Sequence, residues 1–492
     1  MKTLYILILS VFVTIVGQAQ VDRTVMPKPG PAPEINLEEP QSFSLSNGLK
    51  VMVVENHKLP RVSIQLTIDN PPILEGDKAG VSSLTATLLG KGSKNISKDE
   101  FNEEIDFLGA RMNFGSQSAF ASSLSKYFPR MLELMSDAAI NPNFTQEEFD
   151  KEKEKWITSL KSEEKDVAAI ADRVQRALAY GKDHPFGEIM SVETVNNITL
   201  KDVEGFYRDY FVPANAYLVV LGDVHFDKVK ALVEEYFISW TKATPPTFTY
   251  TKPKDVYNTQ INFVDMPNAV QSEIAVQNIV SLKMKDDDYL PALIANQILG
   301  GGGEGRLFLN LREDKGYTYD TYSYIGNDKY ESSRFFATTS VRNTVTDSTV
   351  VEMLKEIDKM ISQPVTAEEL KNTKANYAGR FVMALEKPQT IANYALNIEK
   401  EGLPKDFYKT YLERLDKITI EDVQNAAQKY ISSSNARVVV VGKGSDVLEN
   451  LEKVNFQGKQ LPVLFYSKMA EKTEKPIANT KIPVGSSGNI NN

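Results

Sequence analysis

The chain has 492 residues, 42% of them hydrophobic, a formal net charge of −9 at pH 7 and no cysteine. That length can bury more than one core, and the acidic balance argues against nucleic acid or an anionic membrane as partner, since both demand a concentrated basic surface. Disulfides, thiolate metal sites and a lipid-modified cysteine are excluded outright.

Met1-Lys2, the apolar run Leu4 to Val16 and then Gly17-Gln18-Ala19 read as a secretory signal peptide over residues 1–19, too short to serve as a comfortable membrane anchor. The implied location is an exported one, a bacterial periplasm first and the medium second. Residues 20–40 carry Pro27, Pro29, Pro31, Pro33 and Pro40 and predict an extended leader. Folding is expected from residue 41. Phe43-Ser-Leu45, the turn signal Asn47-Gly48 and Leu49 to Val54 predict a hairpin, and Val62, Ile64, Leu66 and Ile68 alternate as a third strand. In Ala79 to Gly92, Val81, Leu84 and Leu88 fall at i, i+3 and i+7, which predicts a helix with Ser83, Ala86 and Thr87 sharing the neighbouring face. Ser97 to Leu108 predicts a helix with a Ser97/Glu100 capping box, Phe114 to Leu124 a strand, Pro129 to Ala139 an amphipathic helix, and Thr145 to Ser162 a charged helix with a solvated face. His184-Pro185-Phe186-Gly187 reads as a loop with a structural histidine; the other two histidines, His57 and His225, lie in unrelated segments.

An internal repeat organises the chain. Residues 197–222 align without a gap on 417–442, an offset of 220, sharing Ile, Thr, Asp, Val, Tyr, Asn, Ala, two Val and Gly. Each copy predicts an N-capped helix, an Asn turn and a buried apolar strand ending in Gly, so the period implies duplication into two domains. The expected division is 41–240, a Thr/Pro-rich linker over 241–257, and 258–464, with a flexible tail over 465–492. Gln260 to Met266 and Ile274 to Asn278 open the second half as strands. Tyr289 to Leu299 is the counterpart of the first-half helix, because Leu-Leu-Gly-Lys-Gly at 88–92 corresponds to Ile-Leu-Gly-Gly-Gly at 298–302. The glycines at 300–303 and 305 follow a helix and lack the Lys-Ser/Thr of a phosphate-binding loop, so they read as a turn. No Ser/His/Asp or Cys/His arrangement is present for a nucleophilic mechanism.

The Asn47-Gly48 hairpin, Glu75 before Gly80, the Gly80-Val81 to Lys91-Gly92 frame, His184-Pro-Phe-Gly and Leu311-Arg-Glu-Asp-Lys-Gly-Tyr-Thr-Tyr319 together resemble the insulinase-like (pitrilysin) zinc metallopeptidases. The resemblance runs from about residue 41 to 445 and implies an α+β fold of two duplicated domains, each a mainly antiparallel sheet covered by helices, forming half of a clam-shell chamber. In that family an inverted His-x-x-Glu-His motif places two zinc ligands and a general base on one helix face. Those positions fall here on Ser83, Ala86 and Thr87, and the expected third ligand falls on Ser159, with Glu163 or Glu164 a turn further on. The resemblance therefore implies a member without metal ligands or catalytic residues of its own and without a cofactor in this chain. Leu-Arg-Glu-x-x-Gly-Leu-Ala-Tyr is the family's second-half motif, whose Arg and Tyr reach towards zinc-bound substrate; Arg312 and Tyr319 match them as substrate-binding donors, with Tyr317-Thr318 in place of Leu-Ala. From residue type alone, Arg312 would be a helix-end surface charge and Tyr319 a strand residue. In the family two homologous chains often form one chamber. The implied function is thus a non-catalytic subunit, with a zinc-bearing homologous subunit as partner and a peptide as substrate; a peptide-binding chaperone and a scaffold subunit are the competing readings.

Overall fold

The computed structural model describes residues 40–476. The expected signal peptide, the expected leader up to residue 39 and the tail beyond 476 lie outside the described residues. The first half runs β1 (Gln41–Ser44), β2 (Lys50–Glu55), β3 (Arg61–Ile68), α1 (Val81–Leu88), α2 (Lys98–Phe107), β4 (Arg111–Gly115), β5 (Ser118–Leu124), α3 (Phe128–Ile140), α4 (Gln146–Glu163), α5 (Val167–Tyr180), α6 (Val192–Asn197), α7 (Leu200–Tyr210), β6 (Ala216–Gly222) and α8 (Phe226–Phe237). The second opens with β7 (Gln260–Asp265), β8 (Gln271–Val280), α9 (Tyr289–Gly300), α10 (Arg306–Phe308, continued by a π-helical turn, Leu309–Asp314), β9 (Thr321–Ile325) and β10 (Ser333–Arg342). It continues through α11 (Thr346–Ser362), α12 (Ala367–Leu385), α13 (Pro388–Glu401), α14 (Tyr411–Lys417), α15 (Ile420–Tyr430), β11 (Arg437–Gly442) and α16 (Gly444–Leu451). The short strands β12 (Asn455–Phe456), β13 (Lys459–Gln460), β14 (Val463–Tyr466) and β15 (Lys472–Thr473) follow.

The two main sheets repeat one topology. The first has the order β1-β2-β6-β3-β5-β4 and the second β15-β14-β7-β11-β8-β10-β9. The shared core is five strands, in which β2 with β6 and β7 with β11 are parallel and the successive pairs β6–β3–β5–β4 and β11–β8–β10–β9 are antiparallel; β14 adds a second parallel pair, with β7, to the second sheet. The repeat read from the sequence thus becomes the α7–β6 and α15–β11 units. Thr199 with Asp202, and Thr419 with Asp422, close matching capping boxes at the two helix starts. This is an α+β protein built by duplication.

Every residue of β6 is buried, although an antiparallel sheet usually leaves one face to water. The reason is an exchange of helices between the halves. α5, from the first half, lays Ile170, Ala171 and Val174 on Val264, Val439 and Val441 of the second sheet. α13, from the second half, lays Ala392 and Leu396 on Met52, Val54, Val219 and Leu221 of the first. The alternate residues of the same strands, such as Val51, Val53, Val438 and Val440, face each half's own helices. Polar contacts add to the junction: Gln277 donates to the Gln175 carbonyl at 2.8 Å, Lys329 pairs with Asp69, and the Tyr330 hydroxyl donates to the Asp69 carbonyl at 2.8 Å.

Three local details depart from the sequence reading. The segment expected as one strand over 114–124 is a hairpin, β4–β5, because Gly115 to Ser118 reverses the chain without an Asn-Gly signal. Asn47 does more than form a turn: its buried amide donates to the carbonyls of Phe237 at 2.8 Å and Trp240 at 3.1 Å, fastening the β1–β2 hairpin to the end of α8. Residues 465–476, placed in the tail from the sequence, include strand residues. β14 extends the second sheet through Tyr466 by pairing in parallel with β7, β15 folds back on it, and Lys468 donates to the Glu164 carbonyl at 2.7 Å. β14 spans four residues, all apolar or aromatic, and β15 two, too few for a period to be read.

Candidate functional site

α1 starts at Gly80, whose φ of +110° and crowding against the Met190 sulfur suit only glycine. Its N–H donates to the Glu75 carboxylate at 2.6 Å. Glu188 in turn accepts from the backbone N–H groups of Glu75 and Gly76, both at 3.0 Å. Burial, reinforced by the neighbouring Glu75, pushes the Glu188 carboxyl up to about 7. Val81, Leu84 and Leu88 bury themselves against Phe149, Leu160, Val203 and Phe206 of α4 and α7. The apolar stripe is therefore where the spacing placed it.

Ser83, Ala86 and Thr87 lie half-buried on the adjoining face. The Thr87 hydroxyl donates to the Ser83 carbonyl at 2.9 Å and accepts from the indole N–H of Trp156, on α4, at 3.3 Å. Ser159 is exposed and donates to Glu163 at 3.1 Å, while Glu164 is paired with Arg173 at 2.6 Å. A hydroxymethyl, a methyl and a threonine whose hydroxyl is already engaged do not make the N/O ligand set of a catalytic zinc site, and a single carboxylate on α4 would not compensate. The residues present on this face do not fit the family's metal.

On the second half, Arg312 sits in the π-helical turn after α10, with Leu307 and Leu311 anchoring that turn in the core. Its guanidinium carbon lies 4.5 Å from the centre of the Tyr319 ring and 4.9 Å from that of Phe308. Tyr319 is 82% exposed and stands in the loop before β9, not in a strand. The structure thus brings Arg312 and Tyr319 together. The two residues between the motif glycine and Tyr319 explain the departure from Leu-Ala. Tyr317 packs against the core, and the Thr318 hydroxyl donates to the carbonyl of Ser340 on β10 at 2.8 Å, so the loop is pinned on both sides of the exposed phenol.

Both α1 and α9 lie beside edge strands. Gly90, just past α1, packs so closely on Phe114 of β4 that a Cβ there would come within 2.5 Å of the ring. Gly300, ending α9, is equally close to Ser323 of β9. β4 and β9 are the outer strands of their sheets, and β9 exposes half of Tyr322 and Tyr324. An outer strand can accept an extended peptide by main-chain hydrogen bonds where its polar groups are open, although the Ser323 carbonyl of β9 already accepts from the Asn296 amide of α9 at 3.2 Å.

Two family models match: Insulinase (peptidase family M16) over residues 50–184, and the peptidase M16 inactive domain over residues 197–377. Together they cover more than half of the chain. It belongs to the insulinase family. Among relatives of this insulinase-family chain, an uncharacterised zinc protease, YmxG, of Bacillus subtilis is 23% identical over 421 residues, covering 82% of this chain and 98% of its own. A Helicobacter pylori protein named as a non-peptidase homolog is 21% identical over 405 residues, covering 80% of this chain and 92% of its own. The crystal structure of a peptidase M16 inactive domain from Pseudomonas fluorescens superposes with a TM-score of 0.74 at 21% identity, over 82% of this chain and 98% of that one. A Helicobacter pylori protease superposes at 0.72, with 20% identity over 82% of this chain and 99% of that one. Among the described residues of this insulinase-family chain no helix is long and apolar enough to cross a membrane.

One assignment from the sequence is corrected. His57 and His225 are not in unrelated places: their rings lie 5.2 Å apart. β2 and β6 are parallel neighbours, so the residues just past their ends meet. His184 is a buried loop residue stacked on Tyr180, with its Nδ1 accepting from the Phe186 N–H at 3.1 Å.

Proposed function

We propose that this chain is the non-catalytic subunit of a heterodimeric zinc metalloendopeptidase, exported to the periplasm, that encloses small unfolded peptides and presents Arg312 and Tyr319 to substrate held at a homologous partner's zinc site. The observation that carries this reading is the pairing of a pinned, exposed Arg312–Tyr319 couple with a first-half helix whose side chains cannot ligate a metal. A guanidinium and a phenol are both hydrogen-bond donors, suited to a peptide carbonyl and to the oxygen that gains charge when it is attacked. The peptide would lie along an outer strand of a sheet. The exposed tyrosines of β9 also favour a second reading, a peptide-binding protein without catalysis.

The test is co-purification with the product of the neighbouring gene, followed by cleavage assays of each chain alone and of both mixed. Cleavage only in the mixture supports the subunit reading. Peptide binding with no cleavage in any mixture supports the binding protein. Neither binding nor cleavage leaves a scaffold.

A further inference from the structure

The carboxyl ends of the parallel strands β2 and β6 carry a cluster that the insulinase-family site does not use. Glu55 ends β2 and His57 follows it; Asp223 and His225 follow β6 and lead into α8. The carboxylates are each held by a second partner. The Phe226 N–H donates to Glu55 Oε1 at 2.8 Å, and the Ser125 hydroxyl donates to Asp223 Oδ2 at 2.9 Å. That leaves Glu55 Oε2 and Asp223 Oδ1 facing the imidazoles. Asp223 Oδ1 lies 2.7 Å from His57 Nδ1, an arrangement that fixes the proton on Nδ1 and turns the Nε2 lone pair inward. His57 Nε2 is 3.3 Å and His225 Nδ1 is 3.7 Å from Glu55 Oε2.

One ligand atom from each of Glu55, His57 and His225 lies within 4.8 Å of the others. Ligands about 2.0–2.1 Å from a tetrahedral ion sit a little over 3 Å apart, so two of the three separations already fit and the exposed His225 ring has room to close the third. An imidazole nitrogen and a carboxylate oxygen at this distance also need a positive charge between them, from a second ring proton or from a metal ion. We propose that Glu55, His57 and His225 form a binding site for a divalent transition-metal ion of the zinc or copper class, with Asp223 orienting His57 and water completing the coordination. The site is open and lies apart from the emptied helix face. It ties the ends of β2 and β6 to the start of α8, so the bound ion braces the first sheet. Nothing in it depends on a peptidase partner, and its failure would leave the proposed function untouched.

Zinc titration of the full chain against a chromophoric chelator, at about pH 8 where protons compete least, tests this. The expected result is one equivalent bound, weakened at least 10-fold by His57→Ala, by His225→Ala and by Glu55→Gln, and unchanged by Glu163→Gln on α4. Copper(II) titration should give an electron paramagnetic resonance spectrum with coupling to imidazole nitrogen that His225→Ala alters. Zinc that binds equally well to both histidine variants, or no equivalent bound at all, would overturn the proposal. So would loss of binding in Glu163→Gln alone, since it would place the ion at the peptidase face.

Discussion

Replacing Arg312 by alanine removes a guanidinium that stacks 4.5 Å over Tyr319 and 4.9 Å over Phe308. Cation–π contacts at exposed positions are worth about 0.5–1 kcal/mol each, and the exposed pairing with Glu313 at 3.6 Å adds little. The loss to folding should therefore be about 1–2 kcal/mol, too small to unfold a domain or to prevent assembly. The loss to catalysis should be larger, because removing one donor from a developing oxyanion typically costs about 100- to 1,000-fold in kcat. Tyr319→Phe separates the two effects more cleanly, since it keeps the ring beneath the guanidinium and deletes only the hydroxyl. The assay is steady-state cleavage of a fluorogenic peptide by the mixed complex, with kcat and KM resolved and thermal unfolding recorded for each variant. Each substitution should lower kcat about 10-fold or more, with the melting temperature nearly unchanged for Tyr319→Phe and lowered by only about 2–8 °C for Arg312→Ala. Wild-type kinetics in both variants would refute the donor role and return the pair to surface packing.

The remaining predictions concern the emptied helix, its acidic start and the helix exchange. The triple change Ser83→His, Ala86→Glu and Thr87→His should not confer hydrolysis on the chain alone, because it supplies no third ligand on α4 and discards the Trp156–Thr87 bond; efficient chelator-sensitive cleavage would contradict this. Glu188 has its folded-state pKa raised to about 7 by burial, so the folded chain holds a proton that the unfolded chain releases above about 4.5. Its contribution is fully present below the lower value and is lost as pH rises through the higher one. Thermal unfolding should therefore show a stability decrement between about pH 5 and pH 8 that Glu188→Gln reduces, and identical pH profiles would count against the shift. Ile170→Ala, which cuts a fully buried side chain from the face of α5 that covers the second sheet, should cost about 2–5 kcal/mol in denaturant unfolding. A change below about 0.5 kcal/mol would mean that the helix is not seated there.

How much of this was legible from residues alone follows from the range of the interactions. The hairpin at Asn47-Gly48, the capping box at Ser97 and Glu100 and the stripe Val81, Leu84, Leu88 are set by neighbours in sequence, and each appears where its pattern placed it. The repeat also carried long-range information, since the two matched segments fold into equivalent helix–strand units of equivalent sheets. What escaped depends on contacts across many residues: the seating of α5 and α13 on the opposite halves' sheets, Asn47 reaching Phe237 and Trp240, and β14 continuing the second sheet beyond the expected end of the domain. The meeting of His57 and His225 belongs to the same class. At the candidate site, the motif spacing alone placed Arg312 and Tyr319 seven residues apart, whereas their stacking required the π-helical turn and the two anchors on Tyr317 and Thr318.

The most direct measurement is chelator-sensitive peptide cleavage by the purified chain, by the proposed zinc-bearing homologous subunit and by the two together, at equal total subunit concentration. The expected outcome is no turnover from this chain alone and a rate for the mixture well above that of the homologue alone. Turnover by this chain in isolation, abolished by a chelator and restored by zinc, would contradict the central claim that its own helix has lost the chemistry.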